Sequence, residues 1–284
     1  MSDNNYDRFE IRQMNIEEIS IPIEYAHREG WNPGLEDGFC FYNTDPKGFF
    51  IALLNDKPIG TASAVAYNND FGFIGFYIIE PEFRKNIYGM MLGKKALEYM
   101  GGRNIGIDGV VERVENYKNI GFIYSNQNIR YCLKNLKFEI DKSITEVKHI
   151  DFDKILKYDT KHFPVERKIF LSNWLKMKNS LALAVTSQDE ILGYGVIRKC
   201  FNGYKIGPLF AENYEIADTL FRGLTSYSNN DEVFLDIPEP NEMAKQLVKK
   251  YNMVKVFETV RMYLKEIPNL PLQNIFGITS FELG

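Results

Sequence analysis

The 284-residue sequence predicts an α/β protein built as two related units, each a mixed, mostly antiparallel sheet flanked by helices. Three observations carry this expectation. Short apolar, β-branched and aromatic runs alternate with amphipathic stretches along the whole chain. The segment Phe71–Met100 reads as strand, turn and helix, closed by Gly101-Gly102. The chain also resembles itself. NYKNIGF and NIRYCL, beginning at Asn116 and Asn128, align with LVKKYNM and TVRMYL, beginning at Leu247 and Thr259, at one constant offset of 131. Arg130 thus falls on Arg261 and Leu133 on Leu264, a repeat of domain size.

In the first half, Phe9–Arg12 reads as a strand. Asn15 is an N-cap for helical structure over Ile16–Glu29, interrupted near Pro22. Gly30–Gly38 is a turn-rich loop holding Trp31, a loop with a function or a cap over the core edge. Phe49–Leu54 and Ile59–Tyr67 form a hairpin across Asn55-Asp56-Lys57-Pro58, and Asn68-Asn69-Asp70 turns into the strand beginning at Phe71. Ile105–Asp108 is a strand, Val110–Asn119 a helix ended by Gly121, and Ile129–Leu133 a strand. In the second half, Ile144–Val147 is a strand and Asp153–Asp159 and Arg167–Lys176 are helices. Leu181–Val185 and Ile191–Ile197 pair across Ser187–Glu190, and Tyr204–Phe210 matches the strand at Phe71. Val233–Ile237, a helix over Asn241–Lys250 and Val256–Leu264 follow. The expected units are 1–140 and 141–284, with Leu270–Gly284 as a strap or extra strand across their junction.

Composition narrows the function. The charge of -4, with 25% charged residues and no basic stripe interleaved with aromatics, excludes nucleic acid as an expected partner. The three cysteines, Cys40, Cys132 and Cys200, lie far apart, so neither a disulfide framework nor a metal site is expected. The polar first residues do not read as a signal peptide. No apolar run reaches the roughly 18 residues of a membrane helix, so the expected setting is the reducing cytoplasm.

The chemistry concentrates after Phe71–Ile79. A strand feeding a turn at a helix mouth presents unpaired N–H groups and roughly half a positive charge, which suits a diphosphate. Pro-Glu-aromatic-Arg followed by a turn ending in Gly resembles the acetyl-CoA loop of the GCN5-related N-acetyltransferase (GNAT) superfamily, whose pattern is Arg/Gln-x-x-Gly-x-Gly/Ala. Arg84 matches the first position and Gly89 the last, with Ile87 where the first Gly would stand. Trp31-Asn32-Pro33-Gly34, Phe71–Tyr77, Gly102-Arg103-Asn104, Asp108-Gly109-Val110, Tyr204–Phe210 and Phe281–Gly284 resemble a tandem subgroup with a divergent second acetyltransferase-like unit.

That resemblance implies two GNAT-like folds with a splayed central strand pair and acetyl-CoA as co-substrate. Arg84, Lys85, Asn86, Ile87, Tyr88 and Gly89 would hold the diphosphate. The main chain of Tyr77, Ile78 and Ile79 would meet the acyl and pantetheine groups. Tyr117, four residues before Gly121-Phe122, would be the acid for the leaving thiolate. A phenol with a pKa near 10 stays protonated at neutral pH.

The expected activity is direct transfer of acetyl to a primary amine of a small molecule or peptide. The alternative is a non-catalytic acetyl-CoA or metabolite-binding protein, and a scaffold is a third reading. A homodimer is left open. For the general base, Asp108 competes with its reading as an N-cap, and His27, Glu29 and Asp37 lie in the segment expected over the acceptor. Trp31, Asn32, Glu29 and Asp37 are the expected acceptor contacts, while Glu80 and Glu82 read as solvated. In the second copy Glu212 and Glu215 stand in the phosphate turn and Val248 replaces Tyr117. Like charges at a diphosphate site oppose binding there.

Overall fold

Strand-forming runs and helix-forming runs alternate in the computed structural model much as their periodicity demands; it describes residues 7–134, 138, 141 and 143–284. The first half runs β1 (Phe9–Gln13), α1 (Ser20–Arg28), α2 (Asp37–Thr44), β2 (Phe49–Leu54), β3 (Lys57–Ala66), β4 (Phe71–Ile79), α3 (Ile87–Met100), β5 (Asn104–Gly109), α4 (Val114–Ile120) and β6 (Ile123–Leu133). The second runs β7 (Ile144–Glu146), α5 (Phe152–Thr160), α6 (Lys168–Trp174), β8 (Ser180–Ser187), β9 (Glu190–Lys199), β10 (Tyr204–Ala211), α7 (Tyr214–Ser226), β11 (Val233–Pro238), α8 (Glu242–Lys250), β12 (Val254–Tyr263) and β13 (Ile275–Gly277). The boundary expected after residue 140 falls outside the described residues.

Local chemistry explains the turns. Asn55 and Asp56 both take positive φ, 51° and 61°, and their counterparts Gln188 and Asp189 take 48° and 72°. This is the geometry that lets two strands twist together across a tight hairpin. Pro22 does not interrupt α1. It is the third helical residue, where its missing N–H has no helical acceptor to lose.

All strands of the described residues share one 13-stranded sheet in the order β1-β2-β3-β4-β5-β12-β6-β11-β10-β9-β8-β7, with β13 on β10. The order is a palindrome when each first-half strand is exchanged for the strand six later, which is the internal repeat in three dimensions. The halves do not keep separate sheets. Each gives its closing strand to the other: β12 pairs with β5, β6 with β11, and β6 and β12 pair with each other. Arg261 sits opposite Asp108 and Arg130 opposite Asp236 in those registers. The repeated arginines therefore each grip an aspartate of the other half. Helices join across the halves too. Phe41 of α2 stacks on Trp174 of α6 at 5.8 Å between ring centroids.

The parallel strand pairs at the heart of each half separate after a few rungs. β4 and β5 pair from Phe71/Asn104 to Ile74/Ile107, then part. A register shift on the β3 side of β4, with Phe76 at φ 45°, bends β4 away. β10 and β11 pair only from Tyr204/Val233 to Ile206/Leu235. There the opening is filled by the chain itself. β13 pairs with Leu209 and Phe210 of β10, and the Ile278 N–H donates to Asp236 O of β11 at 2.9 Å. The segment expected as a strap or extra strand is thus a strand in the second half's opening.

Candidate active site

Among the described residues no strand enters the first half's opening, which leads into a cavity of about 700 Å³. Its walls are β4 (Ile74–Tyr77), the α3 face carrying Met90, Gly93 and Leu97, the end of β5 with Val110, Tyr117 and Phe122 near α4, and Trp31. Phe257, Thr259, Phe281 and Glu282 come from the second half.

At the helix mouth, α3 begins at Ile87. Its N-cap, Asn86, makes no side-chain capping bond, so the first-turn N–H groups of Ile87, Tyr88 and Gly89 remain available to an anion. Ile87, more than half exposed at 56%, does not fill that mouth. The second half contrasts: Asn213 Oδ1 caps α7 by accepting from Ile216 N at 3.0 Å. Tyr77 lies along α3, its hydroxyl donating to Gly89 O at 2.7 Å. A Cβ at Gly89 would stand 3.0 Å from that hydroxyl. These features fit a diphosphate at the mouth and a narrow chain running between β4 and β5. Ile78 and Ile79, expected to offer their main chain to the acyl and pantetheine groups, are buried beyond the cavity lining and pair with Thr61 and Gly60 of β3.

Arg84 does not point freely toward the mouth. Its Nε donates to Ile79 O at 2.8 Å, and its Nη2 pairs with Glu29. It fastens the turn to the end of α1, and Glu29 is thereby engaged outside the cavity lining. Lys85 takes φ 67°, the left-handed step that turns the chain into α3.

Tyr117 lines the cavity with its ring close against the end of β5, since a Cβ at Gly109 would come within 2.2 Å of Cε2. Burial raises its pKa, opposed by the Val110 main chain. The phenol is thus protonated at neutral pH.

Asp108 is neither a free base nor an N-cap. Its two oxygens accept from Arg261 Nε and Nη2 at 2.9 and 2.6 Å, and Oδ1 also accepts from Asn128 Nδ2 at 2.7 Å. Its carboxylate is committed to the strand exchange. Asp37 also needs correction as an acceptor contact. It is fully buried, held by Arg198 Nε and Nη2 at 2.7 and 3.0 Å and by Gly34 N at 2.9 Å. Asn32 is likewise structural, exchanging two bonds with the Asn202 main chain at 2.8 and 2.9 Å.

His27 stacks on Phe201 with ring centroids 4.1 Å apart. Glu80 is paired with Arg28 rather than simply solvated, and Glu82 is exposed. Of the four expected acceptor contacts only Trp31 lines the cavity. Its carbonyl accepts from Arg130 Nη1 at 2.5 Å, which fixes the loop.

Sequence reasoning did not single out Phe257, Thr259 or Glu282 for this wall. The signal for Glu282 was its place as a lone acid in the apolar run at the end of the tail. Among the described residues no group of three or more His, Cys, Asp or Glu is placed to hold a metal ion, and no helix is long and apolar enough to cross a membrane.

Comparison with known proteins agrees with this geometry. Residues 14–123 match the sequence model of the acetyltransferase (GNAT) family, and residues 155–277 match that of an acetyltransferase (GNAT) domain. Holothin acyltransferase of Pseudoalteromonas sp. (strain SANK 73390) is 30% identical over 272 residues, covering 95% of this chain and 92% of that protein. The fold resembles a putative acetyltransferase of Pyrococcus horikoshii with a TM-score of 0.84 at 21% identity, covering 100% of this chain and 99% of the other. It also resembles a tandem GNAT protein from the clavulanic acid biosynthesis pathway, with a TM-score of 0.61 at 10% identity over 90% and 98% of the two chains. The chain belongs to the GNAT superfamily of acyltransferases, as a tandem member with two GNAT units.

Proposed function

We propose that the chain transfers an acetyl group from acetyl-CoA directly to a primary amine of a small molecule or peptide, using the first half's cavity. The observation that carries this reading is the contrast between the two copies. One keeps its strand opening free and its helix mouth uncapped; the other plugs the opening with β13 and caps the helix with Asn213. The second half therefore binds no acetyl-CoA at the equivalent place and instead supplies the acceptor wall.

The residues have separable roles. The N–H groups of Ile87, Tyr88 and Gly89 hold the diphosphate. The main chain of β4 beyond Gly75 orients the acyl carbonyl and offers N–H groups to its developing negative charge. Tyr117 gives a proton to the departing sulfur. Trp31, Phe257 and Phe281 exclude water around the acceptor. The relative's name makes holothin the first acceptor to try, beside polyamines, amino sugars and peptides.

Calorimetric titration with acetyl-CoA is expected to give one site per chain, and release of CoA thiol to depend on an added amine. No binding would sink the reading, two sites would sink the assignment of the second half, and binding with no turnover on any amine would leave a binding protein.

Gly109→Ala is expected to cut kcat by about 10²-fold, because the new Cβ forces the Tyr117 ring aside and sub-ångström placement matters at a reacting centre. Affinity for acetyl-CoA should hold. Unchanged kcat would show that the ring position is immaterial.

A further inference from the structure

The second half holds a cavity of its own, of about 210 Å³. It is the repeat counterpart of the first cavity at the acceptor end. β12 gives Phe257 and Thr259 to the wall of the first. The offset of 131 carries these two onto Asn126 and Asn128 of β6, which wall the second. Trp31 stands three residues past the end of α1 and Phe163 three past the end of α5, one at each cavity. β13 plugs the strand opening of the second half but not this chamber, where Ile275 and Ile278 become part of the wall.

The exchanged lining changes the chemistry. In place of Trp31, Phe257 and Thr259 the second cavity has Phe163, Asn126 and Asn128, with His162, Arg261 and Thr279 beside them. The asparagines are already engaged: Asn126 Nδ2 donates to Asn128 Oδ1 at 3.0 Å, and Asn128 Nδ2 to Asp108 Oδ1 at 2.7 Å. Two other groups keep bonding capacity. His162 stacks on Phe210 with ring centroids 4.7 Å apart, and its Nδ1 lies 2.9 Å from Tyr158 O. A carbonyl only accepts, so Nδ1 carries the proton and Nε2 presents a lone pair. Burial pushes the His162 pKa down, against the pull of the Tyr158 carbonyl, Asp159 and Glu212. Nε2 has no partner among the described residues yet keeps accessible surface, so it is open to the chamber that its ring lines. Arg261 spends Nε and Nη2 on Asp108, and its Nη1 has only the Tyr263 hydroxyl, at 3.5 Å. At least one N–H of Nη1 is left over.

Charge decides what such a chamber takes. Among the described residues Arg261 brings the only side-chain charge to the lining, and Asp108 balances it. A charged ligand would add an unpaired charge to a largely buried space, which is costly. An uncharged ligand with a donor for Nε2 and an acceptor for Nη1 strands no charge, and its body meets Phe163, Phe210 and Ile278. An amide carries that pair of groups on neighbouring atoms. The 210 Å³ equals roughly seven waters at about 30 Å³ each, room for a small aromatic amide and too little for a coenzyme.

We propose that this second cavity binds a small uncharged amide, whose N–H donates to His162 Nε2 and whose carbonyl accepts from Arg261 Nη1. The site needs no acyl transfer and stands or falls apart from the reading above.

Benzamide, benzoate and benzylamine are alike in size and differ in charge. Each is soaked into crystals of the full chain and titrated by calorimetry. Benzamide is expected in the second cavity, bound about tenfold or more tighter there than the two charged probes. His162→Asn keeps a donor near the place of Nδ1 and removes Nε2, and should weaken benzamide binding about tenfold. Asn126→Phe installs the residue of the first cavity's wall, fills the chamber and should abolish binding. Benzamide in the first cavity alone, only waters in the second, or a charged probe preferred there would overturn the proposal. So would a His162→Asn variant that melts with the wild type and binds benzamide equally well. Should either variant fail to fold, the soaked wild-type crystals still decide.

Discussion

Arg130→Met is expected to lower the unfolding free energy by roughly 3–5 kcal/mol. Arg130 is 2% exposed and grips Asp236 with Nε and Nη2 at 2.7 and 2.8 Å. Its third nitrogen holds the Trp31 carbonyl, and its guanidinium lies 4.6 Å from the Phe281 ring centre. Methionine keeps much of the apolar volume but leaves a buried aspartate whose remaining cationic neighbours, Lys205 and Arg198, make no bond to it. Burial alone pushes Asp236 up. In the wild type the charge and hydrogen bonds of Arg130, together with the charges of Lys205 and Arg198, outweigh that and hold it below the usual carboxylate range.

The sign with pH follows. The wild-type contribution is present above the unfolded carboxylate value of about 3.9 and is lost as pH falls through the lower folded value. In the variant the folded value is raised, so its deficit is largest near neutrality and narrows in acid. Urea unfolding at several pH values measures both. The double variant Arg130→Met with Asp236→Leu should regain most of the loss, because an apolar pair replaces an ionic one without stranding a charge. A deficit below about 1 kcal/mol, the scale of an exposed pair, would remove the exchange contact from the list of what holds the halves together.

Tyr117→Phe is expected to reduce kcat by about 10²-fold or more while acetyl-CoA binding stays within error. The ring remains, so the cavity wall and the contact with Gly109 remain; only the hydroxyl goes. Burial raises the phenol's pKa, so the wild-type acid stays protonated through neutral pH and its limb of the rate profile lies on the alkaline side. That limb should vanish in the variant. The penalty should shrink with acyl donors whose thiol is more acidic, since these leave without a proton. Equal rates for both proteins would take Tyr117 out of the mechanism.

Much of the fold was legible because its signals are local. The hairpin at Asn55-Asp56 and its counterpart at Gln188-Asp189 announce themselves by residue type. The strand–turn–helix at Phe71–Met100 and the repeat offset of 131 pointed to two related units. What was not legible depends on distant partners. Alternating apolar residues in β6 and β12 fit either half's sheet equally well. The aspartates that decide the pairing lie 106 and 153 residues from their arginines. Asp37 reads as a loop acid beside Pro and Gly, and only Arg198, 161 residues on, makes it a core residue. The helix α7 was missed, although Ile216, Leu220 and Leu224 repeat at helical spacing, because Asn213 reads as a turn former and proved to be the N-cap. Glu282 was read only within Phe281–Gly284, as part of the family resemblance, and nothing local placed its main chain over Gly75 of β4.

The exchange of closing strands also dictates the order in which this chain can be finished. While residues up to 134 are emerging from the ribosome, β5 has no partner on its outer side and β6 has no β11 to pair with. Neither half can complete a sheet as a local event, and β5 waits until β12, about 150 residues later, has been made. Loop closure over such distances is slow. The nascent first half therefore carries an open, apolar strand edge through most of its synthesis, a state prone to wrong pairing with a neighbouring chain. The same wiring that lets one half furnish the wall of the other's cavity makes the two inseparable in folding: they are acquired together, at the end, or not at all.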